Sequence, residues 1–382
     1  MFLTADRIHN GKQWLPPGTA IEVAEDGTIV AVHNNTVAGA KHYDGVLCPG
    51  FVNVHCHLEL SHMKGAIPEK TGLVSFLQQV MMRRNGYTEE QKAEARQQAF
   101  DEMLANGIVA VGDICNTTDT TDLRTSNKMH FHSFVESIGF TQVPQKQFEY
   151  ATQVYNNFTG QKAADKNLAQ SIVPHAPYSV SDVLFGLIDK HRHGSIISIH
   201  NQESREEDKY YLLKEGGVQT LLRNLGIDDG FFMPSGKSSL QTYLQWLSPS
   251  HPVIFVHNTY TTRNDVEVAK TLLPHVYWCL CPNANLYIED TLPNINMLME
   301  ESVQICIGTD SLSSNHQLSI LEELKTVKKE YPHIDWAHML CWATFNGACA
   351  LQMSHLVGSF TPGLQPGIIN IHGDYSYITR LF

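Results

Sequence analysis

The chain has 382 residues, 42% hydrophobic and 17% charged, with a formal charge of −12 at pH 7. It exceeds the roughly 250–300 residues of a single hydrophobic core, so one large domain with a smaller appendage is expected. The acidic balance argues against nucleic acid or an anionic membrane as the main partner, because both demand a basic surface.

No apolar stretch reaches the roughly 18 residues of a membrane span. The start, Met1-Phe2-Leu3-Thr4-Ala5-Asp6-Arg7, lacks the basic and apolar regions of a secretory signal. A cytoplasmic location is therefore the expectation. Of the eight cysteines, only Cys279-Leu280-Cys281 form a close pair. That is not a zinc-ribbon spacing, so all eight read as reduced core residues.

Residues 1–48 alternate short apolar runs with turn signals, among them Asn10-Gly11, Pro16-Pro17-Gly18 and Glu25-Asp26-Gly27. This pattern predicts small antiparallel strands. Residues 356–382 have the same texture, with Gly363, Pro366-Gly367 and Ile368-Ile369-Asn370-Ile371. The two ends are expected to form one small composite β-sandwich, with residues 49–355 inserted between them.

The inserted segment alternates strand-like runs with helical stretches, as an α/β protein does. Strands are predicted at Gly50–His55, Ile108–Asp113, His130–Glu136, Ser171–His175, Ile196–His200, Val253–His257, Val276–Cys281 and Val303–Thr309. Helices are expected over Glu89–Ala105, which stops at Gly107, and over Ser319–Lys329. Eight strands separated by helices are what a (β/α)8 TIM barrel needs.

The stretch from Glu203 to Pro252 is long for a barrel loop and is expected to carry helices at Leu212–Leu225 and Ser239–Leu247. Its Phe231-Phe232-Met233-Pro234 patch reads as local core, with a lid or a subunit contact as alternatives. Gly230 to Ser238 resembles a phosphate loop only superficially, because its glycine spacing is wrong and no strand precedes it.

Polar residues fall at or just after the strand ends: His55 and His57, Asp113, Glu136, His175, His200, His257 and Asp310. In a TIM barrel that rim builds the active site. Two histidines at i and i+2 of a strand share a face, so His55 and His57 can reach one metal ion. With His200 and Asp310 they offer three neutral nitrogens and one anionic oxygen. That set suits one divalent ion, zinc first and ferrous iron second. Such an ion lowers the pKa of a water to about 7. Strand four ends Ile172-Val173-Pro174-His175 without a lysine, so no carbamate bridges a second metal and a mononuclear site is predicted.

Pro49-Gly50-Phe51-Val52-Asn53-Val54-His55-Cys56-His57 resembles the opening metal motif of the amidohydrolase superfamily. Further segments are similar to its cytosine deaminase, chlorohydrolase and adenosine-type nucleoside deaminase branch. They are Pro174-His175-Ala176-Pro177-Tyr178-Ser179, His200-Asn201-Gln202-Glu203, Val256-His257-Asn258, Cys281-Pro282-Asn283-Ala284-Asn285-Leu286 and Gly308-Thr309-Asp310-Ser311 with Ser314-Asn315. Ala284 stands where the family usually has serine.

The resemblance implies metal ligands His55, His57, His200 and Asp310. It implies catalytic roles for Glu203 as proton shuttle to a ring nitrogen and for His257, with Asp310, in activating the water. It also implies substrate contacts from His175, Asn285 and Ser314. The implied reaction is hydroxide attack on the amino-bearing heteroaromatic carbon of a purine nucleoside-like substrate, with release of ammonia. A homodimer is the family's implication.

Glu59, in the pattern His-Cys-His-Leu-Glu-Leu-Ser, resembles a subgroup containing aminodeoxyfutalosine deaminases. It is read either as hydrogen-bonding a ribose or amine, or as supporting a ligand histidine. The alternative functions are hydrolysis of another carbon–nitrogen or carbon–halogen bond, as in a cyclic amidohydrolase or chlorohydrolase, and a non-catalytic metal-binding barrel.

Overall fold

The structure, a computed structural model, describes residues 1–382. Strands β1 (Phe2–Ile8), β2 (Ala20–Val23), β3 (Ile29–His33) and β4 (Lys41–Pro49) precede the barrel. The barrel strands are β5 (Phe51–Cys56), β6 (Ile108–Cys115), β7 (His130–Ser137), β8 (Leu168–Pro174), β9 (Ile197–Asn201), β10 (Val253–His257), β11 (Val276–Leu280) and β12 (Gln304–Ile307). Strands β13 (Ile368–Ile371) and β14 (Ile378–Arg380) follow. All eight expected barrel strands are present, with ends shifted by a few residues at most.

Every residue of β5, β6, β7, β9 and β10 is buried. Parallel strands covered on both faces read as continuous apolar runs for this reason. Alternation within those runs makes two cores. Val54, Phe134, Ile254, Val256, Cys279 and Cys306 share an interior cluster. Phe131, Val135, Ile197, Phe255 and Ile307 pack instead with helix residues such as Phe100, Val154 and Leu324.

The barrel strands pair in two parallel sets, β5-β6-β7-β8 and β9-β10-β11-β12. The sets meet at the rim. The His200 N–H donates to the His175 carbonyl at 3.0 Å, and the N–H groups of Thr309 and Asp310 donate to the His55 carbonyl at 3.0 and 3.1 Å. Gly308 is required at the second seam. A Cβ there would lie 2.9 Å from both the Cβ and the carbonyl oxygen of His55, so only glycine lets the chain pass so close to β5.

The two chain ends join as expected, but in a single six-stranded sheet of order β14-β13-β4-β1-β2-β3 instead of two layers. Strand β4 sits inside that sheet, parallel to β1 and antiparallel to β13. It runs through Gly50 directly into β5.

The helix Glu89–Ala105 forms with a Thr88–Gln91 capping box. The long helix expected over Leu212–Leu225 is instead two, Arg205–Leu213 and Gly217–Asn224. Lys214 is left-handed between them, and its Nζ donates to the carbonyls of Asp229 and Phe232. Ser239–Leu247 is likewise shortened to Ser239–Tyr243 with a 3-10 turn after it. Phe232 stacks on Tyr210 at 4.7 Å, so the Phe231-Phe232 patch is local core. All eight cysteines are free thiols, and no helix is long and apolar enough to cross a membrane.

Candidate active site

His55 and His57 end β5, His200 and His257 end β9 and β10, and Asp310 follows β12. Their side chains converge. His57 Nε2 lies 3.1 Å from His55 Nε2 and 3.2 Å from His200 Nε2. Asp310 Oδ1 is 3.3 Å from His57 Nε2 and 3.6 Å from His55 Nε2.

Tetrahedral donors held about 2.0–2.1 Å from one centre sit roughly 3.3–3.4 Å apart, so the four atoms fit a divalent cation. Their protonation fits too. Burial lowers the pKa of His55, of His57 to about 4, and of His200, leaving neutral imidazoles. Asp310 is held well below the usual carboxylate range: burial alone would raise it, but the His55 contact and neighbouring His57 and His257 prevail.

Two of the four donors are aimed by a hydrogen bond on their far side. His200 Nδ1 donates to the His175 carbonyl at 2.7 Å, which leaves Nε2 as the lone-pair nitrogen. The Ser314 hydroxyl donates to Asp310 Oδ2. Asn53 braces the turn before Asp310 through both the Thr309 hydroxyl and the Thr309 N–H. Asp113 accepts from the Leu58 N–H at 3.1 Å and so fixes the chain just past His57.

The backbone is unusual at these exits. Gln202, His257, Asn258 and Asp310 all have φ between 44° and 73°, a region that residues other than glycine enter only when held there.

His257 Nδ1 donates to Asn285 Oδ1 at 2.9 Å, so Nε2 is a free acceptor, 3.7 Å from Glu203 Oε1. Burial keeps His257 neutral. It also raises the Glu203 carboxyl well above its ordinary range, helped by the charges of Asp310 and Glu289. A neutral base and a carboxyl biased by burial toward its protonated form thus face each other beside the four donors.

A cavity of about 550 Å³ opens over this cluster. Its inner wall includes His57, Glu136, His175, His200, Glu203, His257 and Asp310. Its outer wall carries Leu73, Phe76, Leu77, Val80, Phe140, Leu221, Leu222 and Leu225. Arg84 is the single lysine or arginine among the lining residues, against the carboxylates Glu136, Glu203, Asp228 and Asp310.

Of the residues expected to touch substrate, only His175 lines this cavity. Asn285 and Ser314 lie behind His257 and Asp310 as described. Glu59 matches neither reading given to it. It is buried, and it accepts from the N–H groups of Asn116 and Thr117 and from the Thr117 hydroxyl, pinning the loop after β6. Asn116, which that loop presents to the cavity, carried no motif in the sequence. Glu136 was visible as a strand-end polar residue but had no assigned partner.

The sequence profile described as Amidohydrolase family matches residues 46–379. An adenosine deaminase of Helicobacter pylori is 26% identical over 319 residues, covering 82% of this chain and 76% of that protein. Among solved structures, the H. pylori aminofutalosine deaminase in complex with methylthio-coformycin superposes with a TM-score of 0.82 at 20% identity, over 97% of this chain and 92% of that one. A zinc-bound adenosine deaminase from Xanthomonas campestris does so with a TM-score of 0.72 at 21% identity, over 97% and 84%. The profile match spans the barrel and its whole rim, and the chain belongs to the amidohydrolase family.

Proposed function

We propose that this protein is a metal-dependent aminohydrolase that deaminates the purine of a nucleoside, with His55, His57, His200 and Asp310 holding one zinc ion. The observation that carries the reading is the placement of His257 Nε2, with Glu203 3.7 Å away, beside the four convergent donors. A divalent ion bound there acidifies water so that hydroxide is available near neutral pH.

His257 accepts the proton that the attacking water loses. Glu203 gives its proton to the ring nitrogen beside the amino-bearing carbon, so negative charge does not build on the ring. The new carbon–oxygen bond makes that carbon tetrahedral. The His257 proton then passes to the exocyclic amine, the hydroxyl proton returns to Glu203, and the carbon–nitrogen bond breaks to release ammonia and leave a ring carbonyl. Overall, one water is consumed for each ammonia released.

The rest of the cavity supports a nucleoside over a nucleotide. The carboxylates Glu136 and Asp228, beside a single arginine, give no cationic cradle for a phosphate. The apolar outer wall suits an uncharged substituent at the far end of the sugar. The supporting names are those of relatives, adenosine and aminofutalosine deaminases. The test is ammonia release by zinc-loaded protein across adenosine, 5′-deoxy and 5′-alkylthio adenosines, guanine, cytosine and a chlorotriazine. Turnover confined to adenine nucleosides supports the reading. No ammonia from any of them, or chloride release alone, overturns it.

A further inference from the structure

Glu136, next to last in β7, lines the cavity beside His200 of the four-donor cluster. It is 8% exposed. Its Oε2 accepts from the Asn116 side chain at 2.9 Å, but no donor from the protein reaches its buried Oε1. The nearest candidate, His200 Nδ1, is 3.8 Å away and already donates to the His175 carbonyl. A buried carboxylate oxygen without a donor costs on the order of 1–3 kcal/mol or more, so this oxygen is an unused acceptor in the wall of the cavity that Glu136 lines.

Oxygen or nitrogen atoms of Glu136, His175 and His200 lie within 4.8 Å of one another. That trio does not make a second metal site. Nε2 of His200 faces His57 Nε2 in the first cluster and its Nδ1 is bonded to a carbonyl, so only two donors remain. Those two suit hydrogen bonding instead. Glu136 offers a fixed acceptor, and His175, its Nδ1 tied to the Ser179 hydroxyl at 2.6 Å, keeps its other nitrogen free.

The Glu136 acceptor is itself positioned through a chain of contacts. Glu59 holds the backbone of Asn116, and the Asn116 side chain holds Glu136. Glu59, two residues past the metal motif, therefore acts on the cavity through two others.

Resting on the nucleoside reading above, we infer that Glu136 is the specificity-determining acceptor for the sugar hydroxyls of the substrate, making the enzyme selective for ribonucleosides over dideoxynucleosides. With the purine amine at the four-donor cluster and the sugar's far end at the apolar wall, the ribose lies between them, against the wall that Glu136 shares with the cluster. Its vicinal hydroxyls are the donors that Oε1 lacks. A site built to bond a hydroxyl rejects the analogue without it, because the protein group is then left buried and unpaired.

The test compares kcat/KM for adenosine and 2′,3′-dideoxyadenosine in native and Glu136→Gln enzymes, with zinc content measured on both. The glutamine keeps an oxygen for Asn116 and turns N–H groups toward the cavity. Native enzyme is expected to favour adenosine by about 10- to 100-fold, the scale of a hydrogen bond to a charged group. In Glu136→Gln that preference collapses to within about threefold, with zinc content unchanged. Equal turnover of both substrates by native enzyme overturns the inference without any variant. So does a variant that keeps the preference, one that loses both activities equally, or one that loses zinc. If native enzyme deaminates neither nucleoside, the nucleoside reading itself fails and the inference falls with it.

Discussion

At the inner end of the cavity, the polar groups are carried by barrel strands or the first residues beyond them, and three are locked from behind: His200 by the His175 carbonyl, His257 by Asn285, Asp310 by Ser314. The outer end is made of apolar side chains from two helices, Leu73–Arg83 and Gly217–Asn224, lying across the mouth. The inner geometry is determined several times over, so a change there disturbs the chemistry. The outer wall is packing on surface helices, so a change there alters which substituent fits and leaves the reacting atoms in place. Loop and helix variation over a constant rim is how this fold supports different substrates.

The comparison breaks most severely at His200. His200→Ala is expected to abolish bound zinc and to lower kcat/KM by more than the 10- to 100-fold typical of losing a residue that merely supports a ligand. Metal analysis and ammonia release measured together decide it.

Next is Glu203→Gln, which keeps shape but cannot cycle a proton. Its kcat should fall by about 10²- to 10⁴-fold with zinc retained, which separates proton transfer from metal binding. A smaller effect is expected at the outer wall. Leu77→Asp should raise KM for a 5′-alkylthio adenosine by about tenfold, as lost apolar burial implies, and leave adenosine within about twofold. If both substrates suffer equally, the two ends of the cavity are not separable.

The smallest effect lies beneath Glu203. Glu207 accepts from the Gln202 N–H and the Ser239 hydroxyl, its other oxygen is unpartnered, and burial pushes its carboxyl from 4.5 up to about 8. Because the folded-state value is raised, its contribution to stability is complete below pH 4.5 and is lost as pH rises through about 8. Glu207→Gln mimics the protonated acid and should raise Tm at pH 8 relative to native by about 1–3 °C, with little change at low pH. Glu323, also raised to about 8, and Asp113, to about 7, leave part of the native decline in place. Thermal melts across pH measure it.

Much of this was legible in the sequence, for physical reasons. Strands buried on both faces are mostly apolar and turn polar at the rim, so Val253–His257 and most of its companions announce both themselves and their functional ends, β7 with His130, His132 and Ser133 being the exception. Residues that act through others leave no such mark. Asn285 and Ser314 look like substrate contacts in a linear motif, and only their direction in space shows them behind His257 and Asp310. Glu59 follows the metal histidines closely, yet it reaches the loop after β6 instead of the metal or the cavity.

The break after Lys214 was written in the sequence as Gly216-Gly217, which the expected helix Leu212–Leu225 ran through: Gly216 takes φ 95° and starts the second helix. The Lys214 ammonium, held by two distant carbonyls, fixes the turn. The helix Leu73–Arg83 was missed because its pattern of leucines and phenylalanine does not say whether a face meets core or an open cavity.

The left-handed backbone at Gln202, His257, Asn258 and Asp310 sets a ceiling on how robust this protein can become while remaining active. Each such conformation holds the fold about 1 kcal/mol or more short of what glycine would allow, yet at His257 and Asp310 glycine carries no imidazole or carboxylate to aim. Selection for heat tolerance alone would therefore favour glycine at the positions where the chemistry is assembled. A stabilised variant that keeps its activity must gain its extra stability elsewhere, in the helices and the terminal sheet.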